Sequence, residues 1–265
     1  MNNYEKLEGM VAATFTPLDE NGDVNLSVID KYADWIASTP IKGVFVCGTT
    51  GEFSSLAIDE RKLILEKWLV SARKRFKVIA HVGSNCQRSA MELARHAAQV
   101  GADAIASIAP SFFKPGTVDE LVDFFAPICH SAAGLPFYYY NMPSITGVNL
   151  PVDKFLVEGK KKIPNLVGTK FTHNNLMEMG VCIELEQHRF EVLHGYDEIL
   201  ISGLAMGAVA GVGSTYNYIP NVYQAIFDSM KMNDLETARH NQIKSIRTVE
   251  VIIKYGGGVR GGKAI

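Results

Sequence analysis

The chain has 265 residues, 47% of them apolar, with four cysteines and a formal net charge of -2 at pH 7. That length allows one large domain or two small ones, each with a real core, and the charge gives no case for nucleic acid or an anionic membrane surface. No apolar run reaches the ~18 residues of a membrane span. The polar stretch from Met1 to Glu8 has no signal core, and Cys47, Cys86, Cys129 and Cys182 form no CxxC pair. Reduced thiols in a cytoplasmic protein are expected, without a disulfide framework or a zinc knuckle.

Along the chain, a short apolar run, a loop and an amphipathic helix recur. Met10–Phe15 is the first run, with a helix predicted from about Leu26 to Ala37. Gly43–Cys47 precedes a helix over Asp59–Lys74, capped by Asp59 and with Leu63, Ile64 and Trp68 spaced for one face. Val78–Val82, Ala104–Ile108 and Phe137–Tyr140 are followed by helices over Ser89–Val100, Val118–His130 and about Val152–Val157. Leu166–Thr172 is the sixth strand, and the polar run His173-Asn174-Asn175 is suited to capping a helix over Leu176–Glu186. Phe190–His194 leads into a helix over Ile199–Met206, and Ala208–Val212 is the eighth strand. Helices then fill Asn221–Met232 and Leu235 to about Lys254. Eight such units in this length fit an α/β fold, a (β/α)8 TIM barrel followed by a C-terminal helix. The strands read as near-continuous apolar runs, as expected when both faces are buried. An open doubly wound sheet is the runner-up, but it wants a glycine fingerprint after the first strand, where Thr16-Pro17-Leu18-Asp19 stands. The expected division is a barrel domain over 1–232 and the start of a helical extension over 233–265.

In such a barrel, chemistry sits at the C-terminal ends of the strands. Those ends carry Gly48-Thr49-Thr50-Gly51-Glu52, Tyr140-Asn141-Met142-Pro143, Lys170 with Thr172, Gly195-Tyr196-Asp197-Glu198 and Gly213-Ser214-Thr215. Lys170 is the only lysine among them. Most lysines are solvated and snorkel from strand ends, but an amine in a low-dielectric barrel mouth is a usable nucleophile, and its natural reaction is Schiff-base formation. The placement favours that role. Gly48–Gly51 reads either as a tight turn or as an anion cradle of hydroxyls and backbone N–H groups. Tyr140 is either an ordinary strand aromatic or a proton-shuttling phenol, and sequence alone leaves both open.

Taken together and in order, these motifs resemble the N-acetylneuraminate lyases, within the pyruvate-dependent class I aldolases that include dihydrodipicolinate synthase. The likeness runs from Gly9 almost to the chain end. Gly195-Tyr196-Asp197-Glu198 and Lys170-Phe171-Thr172 are similar to the sialic acid branch. Dihydrodipicolinate synthases carry an arginine after the tyrosine motif, where Pro143–Gly147 has none. The resemblance implies that Lys170 attacks the C2 ketone of open-chain N-acetylneuraminate and that Tyr140 takes the C4 hydroxyl proton. The C3–C4 bond then breaks to give pyruvate and N-acetylmannosamine. It also implies that Thr49 and Thr50 hold the substrate carboxylate, and that Thr172, Gly195, Asp197, Glu198 and Ser214 bind the polyol tail. It implies no cofactor and no metal, and a homotetramer acting on small molecules, with no nucleic acid or membrane partner.

Two departures from the family pattern stand out. Many members place a tyrosine after the fourth strand that reaches across a subunit interface, where this chain has Pro110-Ser111-Phe112-Phe113-Lys114-Pro115. Relatives also continue past Arg260-Gly261-Gly262-Lys263-Ala264 into further helices, so the last helices of the family are expected to be missing. Other signals read as structural. Gly257–Lys263 imitates a phosphate loop, but Ala264 stands where Ser or Thr should hold magnesium and no room remains for the required helix. Gly207–Gly213 lacks dinucleotide spacing and suits close packing. His81 and His194 are expected to be satisfied core or rim histidines. Lys160-Lys161-Lys162 reads as a solvated turn, and Met177 and Met179 as helix packing. The rivals to a sialic acid aldolase are a related aldolase for another 2-keto-3-deoxy sugar acid, a binding protein without turnover, and a metal-dependent barrel hydrolase.

Overall fold

The computed structural model describes residues 4–132 and 134–265; Met1–Asn3 of the polar N-terminal stretch lie outside them. Eight parallel strands close into a barrel in sequence order. They are β1 (Gly9–Ala13), β2 (Gly43–Val46), β3 (Lys77–His81), β4 (Ala104–Ile108), β5 (Phe137–Asn141), β6 (Leu166–Phe171), β7 (Glu191–His194) and β8 (Ala210–Gly213). Pairing of β8 with β1, Met10 opposite Gly211, shuts the ring. The helices are α1 (Val28–Ala37), α2 (Ile58–Ala72), α3 (Gln87–Val100), α4 (Val118–Ser131), α5 (Pro143–Thr146), α6 (Val152–Lys162), α7 (Leu176–Glu184), α8 (Leu200–Ala205), α9 (Pro220–Lys231), α10 (Leu235–Lys254) and α11 (Gly257–Lys263). Among the described residues no helix is long and apolar enough to cross a membrane.

Strand alternation separates two cores. Side chains pointing outward pack under the helices, while Val11, Phe45, Ile79, Ala106, Tyr138, Tyr140, Leu193 and Val212 fill the barrel interior. The three successive tyrosines of β5 show the consequence. Tyr139 points out against Phe155, with ring centroids 4.6 Å apart, whereas Tyr138 and Tyr140 point in. The base of the barrel is closed by a buried carboxylate. Glu191 Oε2 accepts hydrogen bonds from Leu7 N (2.9 Å) and from the Tyr138 hydroxyl (2.9 Å), and the Tyr4 and Tyr138 phenols touch. Burial pushes the Glu191 carboxyl up.

Several local expectations are corrected. Helix α2 starts after Ala57, not at Asp59. The Glu60 side chain accepts the Ala57 N–H at 2.6 Å and Asp59 lies in the first turn. Its buried face is Ile64, Leu65 and Trp68, while Leu63 is exposed. Helix α6 continues past Val157 to Lys162, so the lysine trio forms its last turn, where cations suit the helix dipole. Those lysines pair with Glu186, Glu158 and Asp123. Asn175 does cap α7, its side chain accepting the Glu178 N–H at 3.2 Å. The phosphate-loop imitation is a helix, α11, although glycine disfavours helix by about 1 kcal/mol per residue. Tertiary packing overrides that preference. A Cβ on Gly262 would stand 2.5 Å from the Phe15 ring, and one on Gly261 would stand 2.7 Å from the Ile252 carbonyl oxygen. Only glycine lets this helix seat so closely.

Candidate active site

A cavity of about 270 Å³ opens at the C-terminal ends of the strands. It is lined by all nine residues singled out in the sequence: Thr49, Thr50, Tyr140, Lys170, Thr172, Gly195, Asp197, Glu198 and Ser214. Lys170 and Tyr140 are register partners on adjacent strands, so their side chains project inward side by side. Lys170 is only 4% exposed. Its Nζ sits 4.1 Å from the centre of the Tyr140 ring and 4.3 Å from that of Phe45. Aromatic faces attract an ammonium without neutralising it, and among the described residues Lys170 enters no ion pair. Lys170 Nζ is thus held against two rings at the wall of the cavity.

The Tyr140 hydroxyl lies 3.2 Å from Thr49 Oγ1 and donates to Met142 Sδ at 3.1 Å. The loop bearing Thr49 and Thr50 begins at Cys47, whose φ of 53° is left-handed, and ends at Glu52, with φ of 57°. Such backbone is unfavourable for side-chain-bearing residues and persists only where surroundings fix it. Here the fixing is visible. The Cys47 carbonyl accepts from His81 Nδ1 at 2.8 Å, and the buried Arg61 donates to the carbonyls of His81 (2.7 Å) and Gly83 (2.9 Å). Burial pushes His81 well below the usual histidine range, so the ring is neutral and Nδ1 carries the donated proton. His81 also packs edge-on to Tyr140, at 5.9 Å between centroids. The expectation of a satisfied histidine holds for its Nδ1; Nε2 has no partner among the described residues. For His194 neither ring nitrogen has one among the described residues, and burial lowers that ring to about 4. Among the described residues no three His, Cys, Asp or Glu side chains converge to hold a metal ion.

The far side of the cavity is built from loops. Thr172 is buried just past β6, and its Oγ1 has no hydrogen-bond partner among the described residues. Residue 195 must be glycine, because a Cβ there would overlap Thr172 Oγ1. Residue 213 must be glycine for a parallel reason, since its Cβ would overlap the Asp197 carboxylate. Asp197 begins a 3-10 turn and is buried, whereas Glu198 beside it is half-exposed. Asp197 Oδ2 accepts from Thr215 N–H at 2.9 Å and from Thr215 Oγ1 at 2.6 Å. Burial raises its carboxyl to about 6 against the lowering effect of those two bonds.

The profile of the Dihydrodipicolinate synthetase family matches residues 6–259. The chain belongs to that family. A mouse relative named N-acetylneuraminate lyase is 42% identical over 264 residues, which covers 98% of this chain and 82% of the relative. The solved Proteus mirabilis N-acetylneuraminate lyase superposes with a TM-score of 0.95 at 36% identity, covering 98% of this chain and 87% of that one. A Ruminococcus gnavus sialic acid aldolase, solved as its catalytic lysine mutant, superposes with a TM-score of 0.92 at 27% identity, covering 98% and 84%.

Within this dihydrodipicolinate synthetase fold, the sequence placed Met142, Tyr196 and Gly213 at strand ends without a role, and they also line the cavity; Ala13, Val212, Gly258 and Val259 line it too and were missed. Gly258 and Val259 come from α11, in the stretch that imitated a phosphate loop and was set aside as structural. Phe45 and His81, which support Lys170 and Tyr140, looked like ordinary strand residues; their inward register was the signal. Phe112 and Phe113, in the loop after β4, are 77% and 87% exposed and meet each other edge to face, away from the cavity lining.

Proposed function

We propose that this barrel mouth reversibly splits N-acetylneuraminate into pyruvate and N-acetylmannosamine through an imine on Lys170. The chain is a carbon–carbon lyase of the aldolase type. The observation that carries the assignment is the buried Lys170 amine, held by aromatic faces with no carboxylate on it and lying directly against Tyr140. The catalytic lysine named for the Ruminococcus relative supports the same role here. Lys170 Nζ adds to the C2 ketone of the open-chain sugar and water leaves, giving a protonated imine. Tyr140 gives its hydroxyl proton to the departing water and then takes the proton of the C4 hydroxyl, and the C4 oxygen forms its carbonyl as C3–C4 breaks. The bonding pair moves through C3 to the imine nitrogen as an enamine. N-acetylmannosamine leaves, C3 takes a proton, and water releases pyruvate and the free amine. The imine is the electron sink, so the reaction needs no cofactor.

Thr49 and Thr50 suit the substrate carboxylate, because their loop offers hydroxyls and backbone N–H groups beside Lys170. Thr172, Gly195, Asp197, Glu198 and Ser214 suit the hydroxylated tail. Thr172 brings an unpartnered hydroxyl, the two carboxylates accept from sugar hydroxyls, and Gly195 leaves the necessary space. We assign 1–232 to the barrel domain and 233–265 to the start of a helical extension; the turn between α9 and α10 supports that division. We place the enzyme in the cytoplasm as a homotetramer. Four free cysteines support the compartment, and light scattering tests the assembly.

Borohydride reduction with pyruvate, followed by peptide mass spectrometry, tests the chemistry. One pyruvate adduct is expected on Lys170. Lys170→Ala is expected to lose both the adduct and turnover while keeping its thermal transition. An adduct on another lysine, or none on the parent chain, overturns the mechanism.

A further inference from the structure

Asp197 is fixed from behind by residues that do not line the cavity. Thr215 Oγ1 lies 2.6 Å from Asp197 Oδ2 and 2.5 Å from the Tyr223 hydroxyl. A threonine hydroxyl has one proton, and an ionised carboxylate can only accept. Thr215 therefore gives its proton to Asp197, and Tyr223 gives its proton to Thr215. The backbone is fixed by α10. Gln242 Nε2 donates to the Asp197 carbonyl at 3.0 Å and lies 2.6 Å from Ser245 Oγ, while Gln242 Oε1 accepts the Ile201 N–H at 2.8 Å. Tyr223, Gln242 and Ser245 are all buried. Two of the carboxylate's acceptor sites, both on Oδ2, are thus taken by Thr215. Oδ1 makes no hydrogen bond to the described residues and is free for a ligand hydroxyl.

We propose that Thr215, Tyr223 and Gln242 are positioning residues that aim Asp197 Oδ1 at the hydroxylated tail of the substrate and so set specificity for that tail. The inference rests on the assignment of Asp197 to the sugar in the proposed function. None of the three side chains reaches Lys170, so their removal weakens binding of the tail and leaves imine formation alone. An aldehyde or keto acid without a polyol chain does not sense them.

The test separates the two ends of the cavity. In Thr215→Val the hydroxyl is lost while shape and the backbone N–H remain. KM for N-acetylneuraminate is expected to rise roughly tenfold, the worth of a hydrogen bond to a charged group. The rate of borohydride trapping with pyruvate is expected to stay at the parent value. Tyr223→Phe is expected to move the same way by about threefold, because the bond it removes is between neutral groups. Thr215→Ser, which restores the hydroxyl, is expected to recover the parent KM. An unchanged KM in both Thr215→Val and Tyr223→Phe overturns the inference, as does a rise in Thr215→Ser equal to that in Thr215→Val. A parallel loss of trapping in Thr215→Val also overturns it, since the effect would then be general. Absence of trapping in the parent chain would instead sink the proposed chemistry.

Discussion

The two ends of the cavity are built by different means. The lysine end stands on strands: Lys170 and Tyr140 are register partners, and packed rings of Phe45 and His81 hold them. The tail end stands on loops after β6, β7 and β8, and hydrogen bonds and glycines hold it. A strand register cannot slip without turning every side chain to the other face. A loop can be rebuilt one residue at a time. On the proposed assignment, chemistry stands on the rigid part and recognition on the adjustable part, so one barrel can keep its reaction while its substrate tail changes.

The sharpest way to break this comparison is at the lysine end. Tyr140→Phe keeps the ring against Lys170 but removes the hydroxyl to which we assign the proton transfer. We expect kcat to fall by about 10³-fold, within the usual range for lost general acid–base help, while KM changes little and pyruvate trapping on Lys170 persists. Steady-state kinetics with borohydride trapping reads all three. A KM-dominated loss would mean that the phenol belongs to binding, and the two ends would no longer be distinct.

At the tail end, Asp197→Asn should separate stability from function. The Asp197 carboxyl is raised from 3.8 to about 6 chiefly by burial. Its folded value lies above its unfolded one, so its contribution to stability is complete below about pH 4. That contribution is lost as the pH rises through about 6. Above that range the buried charge opposes folding by about 3 kcal/mol, taking 1.36 kcal/mol per unit. The asparagine has no such charge and can still accept from Thr215 N–H. Thermal melts should therefore show the variant gaining stability relative to the parent at pH 8 and losing that gain near pH 4. Its KM for N-acetylneuraminate should meanwhile rise about tenfold, by loss of a charged acceptor. A variant that is less stable at pH 8 would show that the carboxylate holds the loops together as well as the ligand.

The same division explains what was legible in the sequence. Lys170 declared itself because an amine ends an otherwise apolar strand, and the barrel rule says what strand ends do. Tyr140 did not, since three tyrosines stand in a row and only closure of the barrel decides which two face in. At the tail end, the motif Gly195-Tyr196-Asp197-Glu198 gave the positions through family likeness alone. It could not show that Asp197 is buried while Glu198 is half-exposed, because that depends on Thr215, eighteen residues along the chain, and on Gln242 from α10. Helix α11 was illegible for a plainer reason. Its glycines argue against helix locally, and their purpose, close approach to Phe15 and Ile252, exists only in three dimensions.

Helix α11 bears on both ends and offers the smallest expected effect. Gly258 and Val259 line the cavity, and Lys263 pairs with Glu52 at the end of the Thr49–Thr50 loop. Both partners of that pair are near 30% exposed, so water screens the charges, and such pairs contribute about 0–1 kcal/mol. The close packing of the buried Gly261 and Gly262 should decide where the helix sits. Lys263→Met should therefore lower stability by less than about 1 kcal/mol in a denaturant titration, with KM for N-acetylneuraminate and pyruvate trapping both near parent values. Gly262→Val in the same titration should be clearly more damaging, since its side chain must displace the Phe15 ring. Equal losses in the two variants would assign the seat of α11 to the ion pair, and the lysine end would then depend on a loop contact as much as the tail end does.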